Sequence, residues 1–242
     1  MVPSIKELRK LCQNTKTRDI QTSHYWGKIP NFFSAYLTKF FLQTHITANQ
    51  VTFLMLICGI ISAIFFSIGQ YIYSLIGILF YTLYLFLDYS DGEVARYNKT
   101  FSVSGAYLDY MTHVIVNPLI IVGISIGVFF NNPLPIPNSV FLVAGLSAAY
   151  FFMIGQFTRL KKYELYLDKG DAKKLTQLRM KFKGSPVNKI KEIFHNFFRM
   201  TVFNAVFVFG ILNLFSYLVL IYAVILPATS ILRFYSEFKK ED

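Results

Sequence analysis

Three aspartates, Asp88, Asp91 and Asp109, stand at the edges of long stretches that carry no charge. Neither Phe40 to Leu87 nor Tyr110 to Thr158 contains an Asp, Glu, Lys or Arg. A carboxylate at mid-bilayer depth costs about 2.5–3.5 kcal/mol on insertion scales, so such groups need a partner or a purpose. Here the pattern is Asp88-x-x-Asp91-Gly92-x-x-Ala95-Arg96, eight residues, then Gly105-x-x-x-Asp109. On a helix, Asp88 and Asp91 share a face that Ala95 continues. On the next helix, Gly105, Asp109 and His113 step by four along one stripe. A short connection makes the two helices antiparallel neighbours, so the stripes can meet and three carboxylates can hold a divalent cation. Mg²⁺ (or Mn²⁺) suits oxygen ligands and keeps positions for water or substrate phosphate. Two such ions would serve displacement at phosphorus. Gly92 and Gly105 leave space beside the carboxylates, and Arg96 is placed to pair with an aspartate or grip a phosphate. The plainer reading, that the aspartates cap helix ends in water beside Arg96 and Lys99, explains one aspartate better than three.

The elements that must position these groups are membrane-spanning helices. The chain has 242 residues, of which 54% are hydrophobic, 18% aromatic and only 15% charged. A soluble domain would carry about a quarter charged residues. Each long uncharged run holds two crossings at about 20 residues apiece. A third run, Met200 to Leu232, holds one crossing and part of another. Spans are predicted near 51–68, from 72 past Leu87, 105–129, 139–157, from about Lys191, and 216–235. Before them, Phe32, Phe33, Tyr36, Leu37, Phe40 and Phe41 recur at helical spacing, with Ser34, Thr38 and Lys39 on the other side. This reads as an amphipathic helix lying in the membrane interface. Residues 1–29 form a polar, partly flexible segment, residues 30–235 the membrane domain, and residues 236–242 a tail.

The net charge of +11 is unevenly distributed. Seven of the 24 Lys and Arg precede Phe40, two join the long runs, twelve lie from Arg159 to Arg199, and three end the chain. The connections near Gly69, Asn131 and Gly210 have none. By the positive-inside rule the basic segments are cytoplasmic, giving six spans with both termini inside. Topology and anionic lipid headgroups account for the charge, so nucleic acid is not an expected partner. Cys12 and Cys58 imply no disulfide framework, and the N-terminus does not read as a signal peptide.

The run Asp88-Tyr-Ser-Asp91-Gly92-Glu-Val-Ala95-Arg96, eight residues, Gly105-Ala-Tyr-Leu-Asp109 resembles the signature of the CDP-alcohol phosphotransferases (CDP-alcohol phosphatidyltransferases). That signature reads D-x-x-D-G-x-x-A-R, eight residues, G-x-x-x-D-x-x-x-D. Ile46 to Thr52 is similar to the family's P-N-x-x-T opening of the first span, with Ala48 where proline is usual. The resemblance covers residues 30–235, the second half in pattern only. It implies an enzyme that transfers a substituted phosphate from a CDP-linked alcohol to an acceptor hydroxyl and releases CMP. Asp88, Asp91 and Asp109 would bind metal, and Gly92, Ala95, Arg96 and Gly105 would line the cytidine diphosphate site, with Asn49 and Thr52 beside them. Phospholipid or related lipid or glycan biosynthesis is the implied setting. The site is expected to face the cytoplasm, with membrane lipids as partners and a second copy of the chain as a further candidate partner.

The family's last aspartate, its general base and second-metal ligand, is His113 here. Histidine can take a proton from a hydroxyl, with an ordinary pKa of about 6.5, but suits Mg²⁺ less well than a carboxylate does. His113 is therefore a base, a ligand or acceptor-binding group, or the mark of an inactive site. Arg159 and Arg199 are candidates for gripping an anionic substrate group; lipid-headgroup contact competes for Arg159. His24, His45 and His195 carry weaker signals. CDP-diacylglycerol is mildly favoured as donor over a small CDP-linked alcohol. Two rivals stand beside the enzyme: an inactive binding or scaffold homologue, and a cation-coupled transporter. The transporter predicts carboxylates nearer mid-bilayer and a repeat between halves, which the chain lacks.

Overall fold

The computed structural model describes residues 3–13, 25–100, 102–168 and 205–238. Among these residues every regular element is helical. Five helices are long and apolar enough to cross a membrane: Ala48–Ile68, Tyr71–Asn98, Val103–Phe130, Asn138–Phe157 and Phe215–Leu232. They coincide with five of the six expected spans. The remaining span, expected from about Lys191, lies largely outside the described residues, as do Arg199 and His195; within it, residues 205–211 are helical. The chain forms two compact units, Met1–Asn131 and Asn132–Asp242.

The first unit contains a short helix α1 (Ile5–Leu8), continued by a π-helical turn at Arg9–Gln13, then α2 (Tyr25–Gln43), α3 (Ala48–Ile68), α4 (Tyr71–Asn98) and α5 (Val103–Phe130). Local chemistry sets the boundaries. Thr47 and Gln50 form a reciprocal capping box that starts α3. Gly69 ends it in the left-handed region at φ 75°, where a side chain would be strained. Lys99, also left-handed at φ 55°, ends α4, and three residues later Ser102 caps α5 by accepting from the Gly105 amide. Two such stops in sequence turn the chain back, so α4 and α5 are joined by only four residues.

Small residues bring the helices close. The Ser62 hydroxyl of α3 donates to the Gly77 carbonyl of α4 at 2.9 Å. Across α3 and α5, Gly59 faces Val116, Gly123 faces the Ala63 carbonyl, and Gly127 faces the Phe66 carbonyl, leaving no room for a Cβ at these points. Close backbone approach of this kind replaces the hydrophobic driving force that helices lack in lipid.

Residues 3–13 of the polar N-terminal segment pack onto the helices of the first unit. Leu8 and Cys12 are each 1% exposed, and Gln13 bonds to both α2 and α4. Helix α2 lies along α4 with Phe33 stacked on Phe86 at 5.2 Å between ring centres. Its polar side, Ser34 and Thr38, is buried, whereas Phe32, Phe33, Tyr36 and Phe40 are about half exposed. The second unit pairs α6 (Asn138–Asp168) with α7 (Phe215–Phe238), and Phe141, Ala148, Leu218 and Tyr222 on these helices are buried. Ser230 donates to the Phe151 carbonyl at 2.7 Å.

Candidate functional site

Helix α4 presents two polar faces in different directions. One carries Tyr84, Asp88 and Asp91, spaced four and three residues apart, and meets the stripe Asp109, His113, Asn117 of α5. The other carries Ser90 and Glu93 and meets α2.

On the first face, the His113 ring bridges both helices. Its Nε2 lies 3.0 Å from Asp88 Oδ1 and 3.4 Å from Asp109 Oδ1. Its Nδ1 lies 2.6 Å from the Tyr84 hydroxyl, which also stands 3.3 Å from Asn117 Oδ1 as a donor. The Tyr84 ring meets the imidazole edge-to-face, with centres 6.0 Å apart. Asp88, Asp109 and His113 each offer an atom within 4.8 Å of the others, as a metal site requires. Asp109 Oδ1 is buried and accepts no hydrogen bond; at 3.4 Å the His113 Nε2 is in ion-pair range without hydrogen-bond geometry. An Asp109 oxygen that is shielded from water, accepts no hydrogen bond and lies beside a second carboxylate leaves a place for a cation next to the His113 contact. Two carboxylates and an imidazole suit Mn²⁺ or Mg²⁺ with positions left for substrate oxygen.

Asp91 takes a different place from its two companions. Its carboxylate is 7% exposed, and Thr52 of α3 donates to its Oδ2 at 2.9 Å. It remains within electrostatic reach of Asp88 and Asp109, but the three-residue cluster holds His113 in its stead. Thr52, expected beside the nucleotide site, thus works directly on the motif. Asn49 sits one turn earlier on α3: a Cβ at Gly105 would lie 2.9 Å from Asn49 Oδ1. Gly105 therefore lets the starts of α3 and α5 meet. Gly92 lies under the Arg96 guanidinium, 3.2 Å from the position of a Cβ, and Arg96 Nε donates to the Cys12 carbonyl at 2.9 Å. Ala95 is half-buried on the same helix. His45 turns the chain between α2 and α3 at φ 57°. Arg159 belongs to α6, in the second unit.

On the second face, Glu93 is 1% exposed inside the motif, at one of its unspecified positions. Ser34 and Gln13 donate to its Oε1 at 2.6 and 3.0 Å, and Thr38 donates to its Oε2 at 2.7 Å. Sequence reasoning passed over Glu93, Tyr84 and Asn117. The last two were within reach: Tyr84 is one turn before Asp88, and Asn117 extends the four-residue stripe of α5 by one step.

A family model described as CDP-alcohol phosphatidyltransferase matches residues 45–229, well over half of the chain and all of the motif. No curated protein matches the chain.

Proposed function

Because the chain belongs to the CDP-alcohol phosphatidyltransferase family, we propose that it moves a substituted phosphate from a CDP-linked alcohol to an acceptor hydroxyl, with release of CMP, in a divalent-metal-dependent reaction at the cytoplasmic face of a membrane. The observation that carries this reading is the convergence of Asp88, Asp109 and His113 within 4.8 Å.

In the proposed reaction the acceptor oxygen bonds to the phosphorus that bears the alcohol. The bond from that phosphorus to the bridging oxygen breaks, and CMP leaves with the electron pair. The hydroxyl proton passes to His113 Nε2, which faces the carboxylates. Asp88 and Asp109, with Asp91 behind them, would hold the cation, which when bound neutralises charge on the leaving group and polarises the attacked phosphorus. Gly92, Ala95, Arg96 and Gly105 would line the cytidine diphosphate, flanked by Asn49 and Thr52. Arg159 and Arg199 are the proposed grips for an anionic substrate group.

Participation of a lipid is supported by the half-exposed row Phe32, Phe33, Tyr36 and Phe40 on α2, next to the motif helix. Aromatic side chains favour the membrane interface, so α2 is proposed to lie there. CDP-diacylglycerol is the favoured donor, with a polar alcohol as acceptor. The test is CMP release by the purified protein in detergent, across CDP-diacylglycerol, small CDP-alcohols and several acceptors, with Mg²⁺, Mn²⁺ or a chelator. Absence of metal-dependent release from every pair would defeat the reading.

One observation favours a second reading. His113 Nε2 reaches both carboxylates, so the ring itself can hold them together in the cation's stead, as in an inactive binding homologue. Nucleotide binding without CMP release, and release gained in His113→Asp, would identify that case.

A further inference from the structure

We propose that Tyr84 and Asn117 are positioning residues that decide which nitrogen of His113 carries the proton, and so whether Nε2 turns a hydrogen or a lone pair towards Asp88 and Asp109. The inference rests on the reading of this cluster as the site of phosphate transfer.

The donors and acceptors around the ring limit its states. A carboxylate accepts only, so an Nε2 at 3.0 Å from Asp88 Oδ1 bonds to it through a ring hydrogen. In the neutral ring with that hydrogen Nδ1 is an acceptor, and the Tyr84 hydroxyl 2.6 Å away is placed to donate to it. The same hydroxyl has a second acceptor, Asn117 Oδ1, at 3.3 Å. When the hydroxyl turns to Asn117, its oxygen becomes free to accept from Nδ1–H. The proton then sits on Nδ1, and Nε2 carries a lone pair.

Only the second arrangement lets Nε2 take a proton from a hydroxyl or join two carboxylates around a cation. The hydroxyl is thus a rotor with two satisfied positions, one for each state of the ring. Its setting holds it to these two choices. Tyr84 is 1% exposed and Asn117 is 5% exposed, so water does not supply a third partner readily. Tyr84 also stacks on Tyr81 and meets the imidazole edge-on, which fixes its ring and leaves the hydroxyl as the moving part. Both residues continue the site's own helical stripes, Tyr84 one turn before Asp88 and Asn117 one turn after His113. A family-type aspartate at position 113 has no tautomer and would need no such rotor, which ties these two residues to the histidine.

The experiment is ¹⁵N NMR of the full chain labelled at histidine. It has four histidines, and the His113 signals are those missing from His113→Asp. With saturating Mg²⁺, the wild type is expected to show a protonated Nδ1 and an unprotonated Nε2. Tyr84→Phe removes the acceptor for Nδ1–H, and Asn117→Leu leaves the hydroxyl only Nδ1 to donate to. Both variants are therefore expected to return the proton to Nε2; either suffices should the other fail to fold. Turnover should fall by about 10- to 100-fold in each, the usual effect of losing a partner behind a ligand. The same substitutions on the His113→Asp background should cost less than about threefold if the two residues act through the imidazole. A wild-type ring that keeps its proton on Nε2 in Mg²⁺ overturns the proposal, as does one whose tautomer is unchanged in a folded variant. CMP release is scored separately: its absence beside a normal tautomer response counts against the proposed activity and supports the positioning role.

Discussion

His113 on α5 reaches across to Asp88 on α4, Nε2 to Oδ1 at 3.0 Å, and so ties together the two helices that carry the motif. The carboxylate expected at this position by family pattern would repel Asp88 and Asp109 unless cations lay between them. A protonated imidazole attracts both without help. The substitution therefore changes how the site is held together as well as which atom takes a proton.

Replacing His113 by aspartate should change metal preference. Imidazole suits Mn²⁺ better than Mg²⁺, whereas a third carboxylate suits Mg²⁺. The wild type is expected to turn over faster with Mn²⁺, and His113→Asp to shift that ratio towards Mg²⁺. His113→Ala, which removes a proton acceptor, should lower turnover by about 10²- to 10⁴-fold. The measurement is initial CMP release with each metal at saturation, and an unchanged metal ratio in His113→Asp contradicts the expectation.

Asp88→Asn and Asp109→Asn keep the shape of the side chain and remove its charge. Each should reduce CMP release by at least about a hundredfold, in line with losing one preorganised electrostatic group. Mn²⁺ affinity, followed by electron paramagnetic resonance, should weaken in the same variants. Retained Mn²⁺ binding in both would place the cation elsewhere.

Glu93→Ala tests the other face of α4. Removing the carboxylate takes the acceptor from the Thr38 hydroxyl, while Ser34 and Gln13 keep the Asn31 carbonyl. A buried donor without a partner costs about 1–3 kcal/mol. A loss of about 1–3 kcal/mol of stability is expected, read as a lower midpoint in thermal unfolding of the detergent-solubilised protein. Glu93→Gln, which still offers an acceptor oxygen, should lose less. Equal losses in the two variants would show that hydrogen bonding is not what the position supplies.

Gly123→Leu tests the seam between α3 and α5. A Cβ at Gly123 would collide with the Ala63 carbonyl, so the helices must separate. Overpacking of this kind costs typically about 1–3 kcal/mol. Because α3 carries Thr52 and α5 carries Asp109 and His113, the same change should lower turnover along with stability. A variant with wild-type melting and turnover would mean that the seam accommodates a larger side chain.

Much of this was legible in the residues. Charge-free runs of fixed length dictate spans because a bilayer has one thickness and every backbone group inside it must be bonded. The short connection between the two motif halves made α4 and α5 antiparallel neighbours. Helical spacing then placed Asp88 and Asp91 on one face and Asp109 and His113 on another. The motif, and the family it marks, needed nothing beyond the chain.

Tertiary structure decided what the periodicity leaves open. Spacing shows that Asp88, Asp91 and Asp109 share a region, but rotation of α4 against α3 and α5 decides which partner each meets. Asp91 turns to Thr52, and His113 takes its place beside Asp88 and Asp109. Amphipathic spacing in α2 separates Ser34 and Thr38 from the aromatic side, yet only packing shows the polar side facing inward to a buried Glu93. A helical pattern defines faces along one axis, whereas the pairing of faces depends on contacts between residues far apart in the chain.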